Sequence, residues 1–145
     1  ICKKLAVKMH DYTIHIVCSS RNIFNALNES ELEANVVLHD DVLKAEEYYS
    51  RAKLVITRSG RNTLSELAYL GIPALSFVTG DNYRRIEQEQ NLKSLNVQNI
   101  DSVNLDTPID EIQQKAMCLI NQGIINNNFN IGNESAIKEI LGLCK

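Results

Sequence analysis

The chain has 145 residues, 44% of them apolar, and a formal net charge of −3. That is one domain's worth of chain with a substantial core, and it excludes a general basic field for nucleic acid. Aromatic residues make up 6% and Trp is absent, which argues against a stacking platform for bases or sugars, and no apolar run reaches the length of a membrane span.

Ile1, Cys2, Leu5, Ala6 and Met9 fall on one face of a helix, with Lys3, Lys4 and Lys8 elsewhere. An α/β domain ordinarily opens on a strand, so an opening helix predicts a fragment whose missing part includes a strand and its Gly-rich turn. Residues 12–19 (YTIHIVCS) read as a strand, 19–22 as a polar turn and 23–28 as a short helix. A second strand over 34–38 runs into His39-Asp40-Asp41, and 42–52 reads as helical with Leu43, Ala45, Tyr48 and Tyr49 as its apolar surface. Leu54-Val55-Ile56 has the pattern of a strand buried on both faces. A turn over 57–62 follows, then Leu64, Leu67, Ala68 and Gly71 at helical spacing. Gly71 ends that helix and Pro73 prevents it from continuing.

A fourth strand over 74–78 leads through a loop at 79–82 into a helix at 84–95, and 97–100 reads as a short last strand. Thr107-Pro108 has the form of an N-cap followed by proline at the first helical position. Ile109, Ile112, Ala116, Leu119 and Ile120 form the apolar stripe of that helix, and Gly123 ends it. A polar loop over 126–132 and a final helix over 134–143 complete the reading. Cys2, Cys18, Cys118 and Cys144 contain no C-x-x-C pair and read as buried or incidental free thiols, which suits a reducing cytoplasm.

Strands alternating with helices predict an α/β fold, with a mostly parallel sheet covered on both faces. Such sheets bind ligands outside the carboxyl ends of their strands. The loops at that edge are 19–22, 39–41, 58–62 and 79–83, all polar. The turn over 57–62 is the most informative. The helix after it begins with amides that have no intrahelical partner, and its dipole adds roughly half a positive charge. Arg58 and Arg61 add two more charges, so a phosphate or diphosphate suits the place; a plain connection with two solvated arginines is the other reading.

Gly60 permits close backbone approach or positive φ, and Ser59, Arg61, Asn62 and Thr63 offer amides or side chains. Arg58 has a second reading as an ion pair with Asp40 or Asp41. Thr63-x-x-Glu66 has the spacing of a capping box, with Asn62 the alternative cap. Gln88 and Asn91, three apart, share a helix face; their amides suit sugar hydroxyls or form a solvated polar face. His10 reads as solvated and His15 as structural.

Three segments carry a resemblance: Thr57-Arg58-Ser59-Gly60, Ser65-Glu66-Leu67-Ala68 and Gly71-Ile72-Pro73. Together they resemble the C-terminal domain of GT-B glycosyltransferases of the lipid-II N-acetylglucosaminyltransferase type, glycosyltransferase family 28. That family has a strand ending in Ser-Arg-Ala-Gly, a helix with Ser-Glu-Leu-Ala, then Gly-Leu-Pro. The resemblance implies a three-layer Rossmann-like domain spanning residues 1–145. It implies that Glu66 accepts from the ribose hydroxyls of a UDP-sugar, and that the backbone at His39 recognises uracil. Gln88-x-x-Asn91 matches the family's sugar-binding Gln-x-x-Asn, with Glu87 where a first Gln often stands and Asp81 and Asn82 at the rim.

The implied chemistry is inverting transfer of a hexosamine from a UDP-GlcNAc-like donor, with no metal and no cofactor. The catalytic base is expected in an N-terminal acceptor domain outside this chain, so the chain alone is expected to be inactive. That domain or a partner subunit, a lipid-linked or glycan acceptor, and a cytoplasmic location peripheral to the inner face of the membrane complete the expectation. Three alternatives stand beside it: a UDP-sugar hydrolase of pseudaminic acid biosynthesis, the donor-binding subunit of a two-chain transferase, and an α/β interaction module with no ligand.

Overall fold

The computed structural model describes residues 1–40, 46–128, 139 and 141–142. Cys2–Lys8 forms α1, Ile14–Val17 β1, Arg21–Asn28 α2, Val36–His39 β2 and Glu46–Tyr49 α3. Val55–Arg58 forms β3, Arg61–Leu70 α4, Ala74–Val78 β4, Asn82–Leu95 α5, Ile100–Asn104 β5 and Ile109–Gln122 α6. Among the described residues the strands pair only in parallel, in two groups, β1 with β2 and β3-β4-β5. Most of the expected final helix over 134–143, and 42–45 of the expected helix over 42–52, lie outside the described residues.

The register sorts the side chains into three layers. Ile56, Leu75 and Phe77 face the same way as Val103, and with Leu5 and Met9 of α1 and Ile112, Ala116 and Leu119 of α6 they make the larger core. Val55, Ala74 and Ile100 face the other side, where Leu67 of α4, Ile72 and Tyr49 of α3 pack. All five residues of β4 are buried because β4 is central in its group. β3 was expected to be buried on both faces, yet Val55, Ile56 and Thr57 are half-buried and Arg58 is exposed. Among the described residues β3 pairs on one side only, so its apolar run reflects its faces and not its edge.

Two polar side chains hold helix ends. Asn35 Nδ2 donates to the carbonyls of Ala6, Met9 and Tyr12 at 2.9–3.2 Å, fixing the end of α1 to the start of β2. Asn99, fully buried, donates to the carbonyls of Leu67 at 3.1 Å and Ile72 at 2.7 Å, past the end of α4. That duty shifts the last strand from the expected 97–100 to Ile100–Asn104. Gly71 adopts φ 67°, the left-handed cap that a Cβ disfavours. A Cβ there would lie 1.7 Å from the carbonyl oxygen of Ile125, whose amide donates to Gly71 O at 3.0 Å. The start of α6 also moves by one residue: Pro108 is the N-cap, because the Thr107 hydroxyl accepts from Asn104 N at 3.0 Å.

Candidate functional site

The carboxyl ends of β3 and β4 gather the expected residues at the mouths of α4 and α5. Arg58 is the last residue of β3 and is exposed. Its guanidinium has no hydrogen bond or ion pair among the described residues; Asp40, one of its expected partners, is bound by Arg21, and Asp41 lies outside them. Gly60 is the N-cap of α4 with φ −76°, so its use is space and not positive φ. A Cβ on Gly60 would meet nothing within 4 Å. No side chain caps the helix, and the amides of Arg61, Asn62 and Thr63 find no acceptor among the described residues. The tip of α4 therefore presents three free N–H groups to an open space beside two arginines, an arrangement with affinity for an anion.

Glu66 settles one alternative. With Gly60 as cap, the third helical position is Thr63, so Glu66 stands too far along to complete a capping box. It is exposed, on the side of α4 away from buried Leu64, Leu67 and Ala68, and its carboxylate has no partner among the described residues. A carboxylate in that state offers only acceptors, as paired hydroxyls require.

Ser59 takes a different part from the one expected. It is fully buried, its amide donates to Phe77 O at 3.2 Å, and its hydroxyl lies 2.6 Å from that of Ser76. Both groups are used up in pinning the turn to β4. Asn91 is also turned inward: it is 4% exposed, donates to Ser59 O at 3.3 Å and accepts from Arg61 Nε at 3.3 Å. Gln88 spans Thr79, accepting from its amide at 2.8 Å and donating to its carbonyl at 2.6 Å. The two amides do share a face of α5, but each addresses a loop backbone, Asn91 the α4 turn and Gln88 the loop after β4. They set the spacing of the two loops. Asp81 caps α5 by accepting from Arg84 N at 3.1 Å, and Glu87 is exposed. Asn82 is the first residue of α5.

His39 ends β2, and its carbonyl accepts from Cys18 N at 2.8 Å. Its ring lies within hydrogen-bonding distance of His15 at 2.9 Å and of the Tyr48 hydroxyl at 3.3 Å. Sequence reading treated these three separately; the parallel register, which sets Val17 opposite His39, is what joins the histidines. Cys18 is buried and Cys118 exposed, both as free thiols, and burial pushes the Cys2 thiol above its ordinary value. Among the described residues no group of three or more His, Cys, Asp or Glu side chains is placed to hold a metal ion. Nor is any helix there long and apolar enough to cross a membrane. Shallow grooves flank β5, beside Lys93, Asn96 and Asp101 and beside Lys115 and Gln122, away from the loops just described.

Searches among curated proteins and among solved structures returned no match. The glycosyltransferase family 28 C-terminal domain matches the chain over residues 2–123, which takes in β1 to β5 and α1 to α6. With its parallel α/β layers and its open helix tip at the strand ends, the protein belongs to the glycosyltransferase family 28 C-terminal domain family, the donor-binding half of a glycosyltransferase.

Proposed function

We propose that this domain binds a UDP-sugar of the UDP-GlcNAc kind and presents it for inverting transfer of a hexosamine to an acceptor hydroxyl. The observation that carries the reading is the pairing of an uncapped α4 tip with an exposed Glu66 on the same helix, unpartnered among the described residues. The diphosphate lies against the amides of Arg61, Asn62 and Thr63, with Gly60 leaving room and Arg58 and Arg61 supplying charge. Glu66 accepts from both ribose hydroxyls, and the backbone at His39 reads the uracil. Asp81, Glu87 and Gln88 line the sugar side; Gln88 still has an N–H and a lone pair beyond its bonds to Thr79. Ser59 and Asn91 act behind them, as supports for the turn.

In this reading the donor site works by electrostatics. As the anomeric bond breaks, charge grows on the departing diphosphate, and oriented amides and guanidinium groups stabilise it. Attack needs a base and an acceptor site, which we assign to an N-terminal domain or a partner subunit, with a lipid-linked or glycan acceptor. We also propose that the domain takes one more parallel strand, between β1 and β3. Neither strand pairs on its second side among the described residues, while Ile14 and Ile56 border the same core. The free thiols suit the cytoplasm, and we place the enzyme at the inner membrane face through its acceptor half. Family membership favours transfer over hydrolysis.

The test is calorimetry of the protein with UDP, UDP-GlcNAc and ADP. Uridine selectivity is expected, with UDP-GlcNAc bound at least as well as UDP. Equal binding of ADP and UDP overturns the donor assignment.

A further inference from the structure

The imidazoles of His15 and His39 are not needed for the donor reading, which uses only the backbone of His39. They project from neighbouring parallel strands on the face they share with Val17 and Val37, which are 49% and 39% exposed. Their rings stack at an interplanar angle of 24°, with Nδ1 of His15 2.9 Å from Nε2 of His39. Tyr48 meets the other nitrogen of His39, Oη to Nδ1, at 3.3 Å. Asp40, the next residue, is held by Arg21.

We propose that His15 and His39 form a two-imidazole site for a divalent transition-metal ion of the nickel, copper and zinc group. Imidazole nitrogens bind such ions at about 2.0–2.1 Å, so two ligands in adjacent square-planar or octahedral positions sit about 2.9 Å apart. The observed separation already has that value. A tetrahedral ion asks for about 3.3 Å, a small opening of the pair. Binding exchanges the single hydrogen bond between the rings for two metal–nitrogen bonds. The required tautomers place the remaining protons on Nε2 of His15 and Nδ1 of His39, and the latter proton then donates to the Tyr48 hydroxyl. A metal-bound histidine is commonly oriented by a hydrogen bond of this kind. Water fills the other coordination positions. The bound ion ties the body of β1 at His15 to the carboxyl end of β2 at His39, so it stabilises the folded protein by mass action.

The test is titration of the untagged protein with NiCl2, followed by calorimetry and by thermal melting, with MgCl2 as the control. One Ni²⁺ per chain and a raised melting temperature are expected, with no response to Mg²⁺. H15Q and H39Q should weaken binding roughly tenfold or more, while H10Q, at an exposed histidine beside Asp11, should leave it unchanged. The imidazole of His15 is exposed, so H15Q reports on binding even if H39Q disturbs the fold. Electron paramagnetic resonance with Cu²⁺ should show two nitrogen ligands in the protein and one in H15Q. Absence of Ni²⁺ binding at millimolar concentration, or binding retained in H15Q and lost in C18S, overturns the proposal.

Discussion

Glu66 and Ser59, seven residues apart in one motif, have opposite fates. Glu66 is exposed and unpartnered among the described residues; Ser59 is buried with both polar groups engaged. Replacing each therefore has a different readout. Glu66→Ala should leave the melting temperature unchanged and weaken UDP binding about 5- to 150-fold, the loss of about 1–3 kcal/mol expected for hydrogen bonds to a charged group. A variant that binds UDP like the parent protein removes Glu66 from the donor site. Ser59→Ala strands the Ser76 hydroxyl in the interior and should cost about 1–3 kcal/mol in urea unfolding. The motif's order and spacing were legible in the sequence, and so was the carboxylate's suitability for hydroxyls. Which polar residue turns inward was not, because Ser59 and Asn91 look as hydrophilic as their exposed neighbours until β4 and α5 close over them.

α4 is held at its far end as firmly as its tip is open. Leu64 and Leu67 are fully buried, and Asn99 and Asn127 draw the last carbonyls of the helix toward β5 and the segment after α6. Leu67→Ala should cost about 2–5 kcal/mol, as for other buried leucines, measured by denaturant unfolding. Gly71→Ala should be damaging out of proportion to its size. It adds a Cβ 1.7 Å from Ile125 O at a left-handed φ, so a clear fall in melting temperature is expected. The helix stop at Gly71-Ile72-Pro73 was readable from residue types alone, since left-handed caps select glycine. The backbone that crowds Gly71 arrives from more than fifty positions later in the chain, beyond the reach of any local pattern.

Across the whole molecule the arginines are unevenly placed. Arg21, Arg58, Arg61, Arg84 and Arg85 stand at or just after the carboxyl ends of strands, and only Arg51 precedes one. An acidic protein thus keeps a cationic edge where the diphosphate is proposed to sit. UDP affinity should fall as ionic strength rises from low to physiological salt, measured by calorimetry, and should fall less in Arg58→Gln. Among the described residues β1 and β3 each have one unpaired side, which leads to a second expectation at this scale. Amides of the edge strands Ile14–Val17 and Val55–Arg58 should exchange hydrogen faster than those of the central strand Ala74–Val78.

The alternation of elements, the parallel α/β class, the loops at one edge and the identity of the α4 motif were all written in the sequence, because periodicity and turn chemistry are local properties. Tertiary structure decided the rest. It moved β5 and the cap of α6, turned Ser59 and Asn91 into supports, freed Glu66 from capping, and brought His15 to His39. Each of these depends on contacts between segments far apart in the chain, where burial and register, and not residue type, determine what a side chain touches.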